Sequence, residues 1–435
     1  MNTKQIGRWV IVLFLLAALP GLTAVMAQQE PLVDTPAYPW PPGWPNVYES
    51  EPNDSLATAD VVVLGDMMGG SDDIACTDVD YYRLDMPRRG HVLIESHNAF
   101  NRVAILKPDG SVLKEVEAEQ WLFYSLYAGT YYIRLTPYHW TPFFDCGSDY
   151  RLIVMSPLII SGAAANLSPG RVDDLRFYSQ DILFHADLNN GEEWWEILIN
   201  GSDIGITKNN VTNIAAHGGD ELLFSVAASQ TLPGVGTVTP WDIFIYDPTY
   251  IKMGDTQGTF RWGLQGAQHG LTTSTEKLDA IEGFTEGIRS NPAYQGCFGF
   301  PVSTVGVATV DGPFGPMKQD DEDIFCKVYN PDAGGWQHWD WFFDVNGKFD
   351  RPVTETPPGT VRGLPVEDVT AMAYDDDRDV IYLTIQGSGT VLGHVVTQKD
   401  IFALNYPSYT WAGIVWHGPD HGWNYNIDAF DWGVQ

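Results

Sequence analysis

Positive charge is scarce in this chain. Twenty-four lysines and arginines stand against 56 aspartates and glutamates in 435 residues, a formal net charge of −32. Duplex nucleic acid is bound through a basic face and anionic lipid attracts one, so this balance argues against both as partners. Cysteine is scarce too: four residues, with no CxxC and no Cys–His pair at zinc-ligand spacing. Common catalytic signatures are missing, namely G-x-S-x-G, H-E-x-x-H and a glycine-rich phosphate loop. After residue 27 there is no apolar run of the roughly 18–20 residues that a membrane helix needs. What the chain does have is 44% hydrophobic and 13% aromatic residues, with 43 glycines and 28 prolines. That composition builds real cores and many turns, as in an all-β protein, and the length predicts two domains.

The N-terminus reads as an address. Lys4 and Arg8 precede an apolar run from Trp9 to Leu19, then Pro20-Gly21 and Ala24-Val25-Met26-Ala27. This is the pattern of a secretory signal peptide over 1–27, which predicts a secreted, extracellular protein, released or held at the cell surface, with no membrane span after cleavage. In that compartment an even cysteine count predicts two disulfides. Cys76, Cys146, Cys297 and Cys326 allow three connectivities, and placing two in each half favours Cys76–Cys146 and Cys297–Cys326.

Residues 28–46 hold six prolines and read as a stiff extended leader. Over 47–156, short alternating runs such as Tyr81–Leu84, His91–Ile94, Val103–Leu106, Tyr131–Leu135 and Tyr150–Val154 are separated by turns, including Pro108-Asp109-Gly110. Several short strands at this spacing predict a β-sandwich. Residues 157–170 read as a linker.

Four motifs in order carry a resemblance across the sandwich segment. They are Glu49-Ser50-Glu51-Pro52-Asn53-Asp54-Ser55, Asp78-Val79-Asp80-Tyr81-Tyr82, Lys107-Pro108-Asp109-Gly110 and Ala128-Gly129-Thr130-Tyr131-Tyr132. Together they resemble the bacterial pre-peptidase C-terminal (PPC) domain. The resemblance implies a jelly-roll-like sandwich of the kind appended to secreted enzymes, often peptidases. Some members of that family bind calcium through the opening acidic motif, and some bind matrix polymers. Here the segment is N-terminal and no peptidase precedes it. The residues support calcium by their own chemistry. Glu49, Glu51, Asn53 and Asp54 offer hard oxygens that Asp78 and Asp80 can supplement, and calcium takes six to eight of them. The alternative is a solvated turn, in which Asn53 and Asp54 bond nearby amides.

Residues 171–435 repeat. Asp-Ile-[Leu/Phe] recurs at Asp181, Asp242, Asp323 and Asp400. Each copy precedes a tryptophan-bearing run (194–198, 260–264, 339–343, 411–416) and then a third element (Val211–Ile214, Leu278–Ile281, Val369–Met372, Ile427–Phe430). Four strands recurring four times predict a four-bladed β-propeller. The register predicts that Ile427–Phe430 completes a first blade lacking an inner strand, which removes exposed sheet edges. The Ile427-Asp428-Ala429-Phe430 and Leu278-Asp279-Ala280-Ile281 runs resemble the strand that opens blades of hemopexin-type propellers. No ligand is carried over from that family.

In this scheme Asp181, Asp242, Asp323 and Asp400 begin third strands, and Asp279 and Asp428 begin inner strands, around the mouth of a central channel. A ring of carboxylates there would hold a cation or a cationic ligand, or each aspartate would simply cap its turn. Loops 228–240, 309–321 and 387–398 open on the same face. The expected function is a non-catalytic binding or adhesion protein, stabilised by calcium, whose ligand is an extracellular polymer or a cell-surface protein or glycan. The competing expectation is a propeller hydrolase acting on polysaccharide through the channel-mouth carboxylates.

Overall fold

A computed structural model of the protein describes residues 45–71, 78–97, 101–117, 120–137, 149–162, 165–167, 175–206, 211–252, 255–283, 301–304, 308–312, 315–319, 324–330, 335–343, 368–375, 377–405, 408 and 410–432. The expected signal peptide, the expected leader up to Trp44, Cys76, Cys146, Cys297 and Asp323 lie outside them. The described residues are almost wholly β, with two short 3-10 turns and no helix long and apolar enough to cross a membrane.

Two five-stranded sheets make the N-terminal sandwich. One runs in the order Val47–Tyr48, Asp66–Ser71, Asp149–Met155, Gly90–His97, Leu122–Leu126. The other runs Asp60–Val62, Asp80–Met86, Gly129–Pro137, Asn101–Leu106, Val112–Val116. Period-two alternation turns Asp80, Tyr82, Leu84 and Met86 inward, and all four are buried. Tyr82 and Leu84 meet Met68, Val92, Ile94 and Leu152 of the facing sheet in one apolar core.

Four antiparallel four-stranded sheets follow. Each consists of a first strand, a second, a third that begins at or just after the repeated aspartate, and an outer strand. The second sheet shows the order: Val211–Gly218, Glu221–Val226, Ile243–Lys252, Asp255–Leu264. The third and fourth follow the same order, opening on Leu278–Ile281 and Val369–Asp375. The first sheet takes its opening strand from the C-terminus. Ala429–Trp432 pairs antiparallel with Leu158–Ser161, placing Phe430 opposite Ile160. Leu158–Ser161 pairs in turn with Ile182–Asp187. The four opening strands also touch: Val211–Gly218 lies against Leu278–Ile281 and Ala429–Trp432, and Val369–Asp375 against the same two.

Two sequence expectations need correction. Residues 157–170 are not only a connection, because Leu158–Ser161 is the second strand of the first sheet and is entirely buried. The expected loops at 228–240, 309–321 and 387–398 are largely β-hairpins, Gln230–Leu232 with Gly236–Val238, Ala308–Gly312 with Gly315–Gln319, and Ser388–Val391 with His394–Thr397. The first sheet has the equivalent pair, Ala165–Leu167 with Leu175–Phe177. Each repeat therefore has six strands, with a hairpin between the second and third strands of its sheet.

The sandwich and the sheets form one compact unit from Pro45 onward. Met67, Leu93, Trp121 and Phe123 of the sandwich share a buried apolar cluster with Phe184, Ile214 and Phe224 of the first and second sheets. Polar contacts reinforce it. The Trp121 N–H donates to the Ile251 carbonyl at 2.7 Å and the Asn189 N–H to Gly65 at 2.9 Å. The sandwich turn carrying Arg88, Arg89 and His91 faces the ends of the opening strands, where Glu282, Asp375 and Asp431 converge. Arg88 Nη1 lies 3.5 Å from Asp375 and His91 Nε2 lies 3.1 Å from Asp431. Burial, and then the negative charge of Asp431, hold the Glu282 carboxyl well above its ordinary range.

Candidate metal centre

Five of the six residues predicted as metal ligands come together. Carboxylate oxygens of Glu49, Glu51 and Asp80 lie within 4.8 Å of one another, and so do those of Glu51, Asp54 and Asp78. Glu51 is common to both groups, so five carboxylates gather at one edge of the sandwich. Asp80 is brought there by the inward face of its strand, and Glu49–Asp54 by the segment that follows Val47–Tyr48. A backbone hydrogen bond from the Tyr81 N–H to the Asn53 carbonyl, 3.1 Å, fixes the two segments together.

Glu49 is held by two tyrosines. The Tyr150 hydroxyl donates to Glu49 Oε2 at 2.5 Å and the Tyr82 hydroxyl reaches the same oxygen at 3.2 Å. Gly70 permits this approach, since a Cβ at that position would collide with both Glu49 and the Tyr150 ring. Burial first, and then nearby negative charge, raise both tyrosines well above their ordinary value.

The electrostatics of the cluster are those of crowded acids. Burial pushes Asp80 up to about 8; a hydrogen bond with Tyr150 opposes this, and the charges of Glu49, Asp78 and Glu51 add to it. Burial, then Glu51, then Asp54 by hydrogen bond and charge, and finally Glu49, push Asp78 up to about 6. Like charges crowded beside a buried carboxyl favour either a proton or a cation. Asn53, fully buried, has no hydrogen-bond partner for either side-chain amide atom, and Asp80 Oδ1 has none. Buried polar atoms are ordinarily satisfied. An all-oxygen donor set with orphaned buried oxygens fits a hard cation such as calcium.

The predicted channel-mouth aspartates behave otherwise. Asp181 accepts the Tyr178 N–H at 2.7 Å and the Gly201 N–H at 3.0 Å. Asp242 accepts Thr239 N–H and hydroxyl on one oxygen and the Gly266 N–H on the other. Asp400 repeats the first half with Thr397 and turns its second oxygen to His417 Nδ1. In each, one oxygen holds the residue three places earlier and, in Asp181 and Asp242, the other holds the chain just after the outer strand. They brace the entry to the third strand. Asp279 is buried within Leu278–Ile281, and the Asp428 N–H donates to the Ser161 carbonyl at 3.0 Å. Among the described residues these aspartates form no three-residue ligand cluster. The physical reason is that backbone donors at fixed offsets already occupy the carboxylates of Asp181 and Asp242.

A different cluster was not anticipated as a whole. His185, Asp187, Glu193 and His421 place one ligand atom each within 4.8 Å of one another. Only His421 had a signal in sequence, as part of His417-Gly418-Pro419-Asp420-His421. Cys326 is buried and is not a free thiol, and the other three cysteines lie outside the described residues.

No family model matches the chain, and no curated protein does. Solved structures show distant similarity. A pre-peptidase C-terminal domain of collagenase from Bacillus anthracis is 14% identical, with a TM-score of 0.18, over 22% of this chain and 93% of that one. PliG, a periplasmic inhibitor of g-type lysozyme from Salmonella Typhimurium, is 15% identical with a TM-score of 0.18, over 22% and 98%. The extracellular region of zebrafish Gpr126/Adgrg6 is 11% identical with a TM-score of 0.15, over 51% and 35%.

Proposed function

We propose that this protein is a secreted, calcium-stabilised binding or adhesion module, built from a PPC-like sandwich and a four-bladed β-propeller that its C-terminal strand closes. The observation that carries the reading is the gathering of Glu49, Glu51, Asp54, Asp78 and Asp80, in the same segments as a buried Asn53 whose amide has no partner. Calcium would be held by these oxygens, and its charge would offset the burial and the neighbouring negative charge that raise Asp78 and Asp80. The chain's own residues do the positioning: Tyr82 and Tyr150 orient Glu49, and the Asp80 strand carries Asp78 and Asp80 to the site. Propeller closure is supported by the pairing of Ala429–Trp432 with Leu158–Ser161 and by the mutual contact of the four opening strands. The disulfides Cys76–Cys146 and Cys297–Cys326 belong to the same proposal.

The partner is an extracellular polymer or a cell-surface protein or glycan. A surface on the fourth repeat, shared by its hairpin and its outer strand, suits it. The His394 ring stacks on Trp411 at 4.4 Å with 5° between planes, and Val395 and Ile414 nearby are exposed. The hydrolase alternative draws no support from Asp181 and Asp242, whose oxygens already accept backbone N–H groups.

Calorimetry of the full-length protein tests the calcium centre. Calcium at 100 times its dissociation constant adds about 2.7 kcal/mol if only the folded state binds it. Chelation is expected to lower the melting temperature, and Glu51→Ala with Asp54→Ala to abolish the difference. Melting that is indifferent to calcium and chelator overturns the centre. On a panel of immobilised glycans, retention without turnover supports the module, and turnover supports the hydrolase.

A further inference from the structure

We propose that His185, Asp187, Glu193 and His421 form a second metal site, for a divalent transition ion of the zinc class, which ties the first sheet to the C-terminal turn. This site is separate from the calcium centre and does not depend on it.

The register of the first sheet builds three of the ligands. Asp187 and Glu193 are direct cross-strand partners at the end of the hairpin, and His185, two residues before Asp187, shares its face. Two carboxylates directly opposite one another repel, so this pairing favours a cation between them. His421 comes from the other end of the chain. It closes the 3-10 turn Gly418–His421, whose end is fixed by Gly422 at φ +78°. Trp423, just beyond, stacks on Trp195 of the first sheet at 5.6 Å and 10°. The His421 ring lies parallel to Trp416 at 5.4 Å and 4°, and its Nδ1 is 3.1 Å from Glu193 Oε1.

His185 is the second, independent observation. It is 1% exposed, and neither of its ring nitrogens has a hydrogen-bond partner. Its Nε2 lies 3.7 Å from both Asp187 Oδ1 and Glu193 Oε2. That is too long for a hydrogen bond. It is close to the ligand-to-ligand edge of about 3.3 Å that follows from zinc bonds of roughly 2.0–2.1 Å in a tetrahedron. Two imidazoles and two carboxylates suit zinc and its neighbours, whereas calcium takes six to eight oxygens. The carboxylate side chains are 41% to 54% exposed, so an ion enters from solvent and meets the buried imidazole last.

The test uses tag-free, full-length protein stripped with chelator and returned to millimolar calcium, which keeps the sandwich centre occupied. Cobalt(II) is titrated first. The expected result is one equivalent bound, with the intense visible absorption of a four-coordinate ion, displaced by one equivalent of zinc and not by excess calcium. Cobalt should also quench the fluorescence of the neighbouring Trp195 and Trp416. His421→Gln and Asp187→Asn each alter an exposed or half-buried ligand, so both variants should fold. Each should lower zinc affinity by at least about 100-fold, since loss of an outer-shell partner alone costs 10–100-fold. Absence of a stoichiometric cobalt band, displacement of cobalt by calcium, or wild-type zinc affinity in both variants overturns the site.

Discussion

The Arg88 guanidinium lies 3.5 Å from the Asp375 carboxylate, with both side chains almost wholly buried and 287 residues apart in the chain. One belongs to the sandwich and the other to the opening strand of the fourth sheet. The pair sits among Glu282, Asp431 and His91, so the sandwich delivers positive charge to an acidic convergence that the sheets create. Lys114 makes a further ion pair with Asp220 across the same boundary.

Removing Arg88 should therefore unsettle both parts together. Arg88→Ala strips the buried partner from Asp375 and leaves it only Arg378, at 3.9 Å and half exposed, at a cost of up to roughly 3–5 kcal/mol. Because Met67, Leu93 and Phe123 share a core with the first two sheets, the loss should appear as a lowered common transition in calorimetry. An unchanged melting temperature would remove Arg88 from the role of charge partner.

The acidic edge of the sandwich predicts a pH dependence. Asp80 and Asp78 have folded-state values near 8 and 6, above the ordinary 3.8. A raised carboxyl binds its proton more tightly when folded. The stability this confers is complete below about 3.8 and is lost as pH rises towards 6 for Asp78 and 8 for Asp80. Calcium-free protein should therefore melt at a higher temperature at pH 5.5 than at pH 8. Saturating calcium should flatten or reverse that trend, because the cation replaces the proton. Titration calorimetry in two buffers of different ionisation enthalpy should show proton release on calcium binding at pH 7. A flat profile in chelator would be inconsistent with the crowded-acid description.

The C-terminal strand offers a third test. Deleting residues 426–435 removes Ile427 and Phe430, both buried, and leaves Leu158–Ser161 with one sheet edge unpaired. Each large buried side chain lost costs roughly 2–5 kcal/mol. Against a typical stability of about 5–15 kcal/mol, the truncated chain should aggregate or unfold. The sandwich should suffer as well, since His91 loses Asp431 and the apolar cluster is shared. A soluble truncated protein melting within a few degrees of the full chain would exclude closure by this strand.

Sequence by itself determined most of the strands. Alternation in Asp80–Met86 and the recurring Asp-Ile-Phe are local signals, and each reports which face a residue takes or how a turn is braced. The repeat also led to the expectation that Ile427–Phe430 pairs with the first sheet; the strand that does so is Ala429–Trp432, two residues further on. Leu158–Ser161 escaped because it follows the sandwich strand ending at Met155 almost directly and lacks the motif that marks the other repeats. Pro301–Thr304 escaped because it has four residues and begins with proline, which is tolerated at a strand's first position but hides the pattern. The five clustered carboxylates were legible as a group because Glu49–Asp54 and Asp78–Asp80 are short contiguous runs. The burial of Asn53 and Asp80, and the orphaned amide of Asn53, were not, because desolvation depends on what packs over them. The tertiary structure alone decided the rest. His185 and His421 are 236 residues apart, and no spacing rule reaches across that distance. The stacking of Trp423 on Trp195 and the pairing of Ala429–Trp432 with Leu158–Ser161 bring this C-terminal segment onto the first sheet.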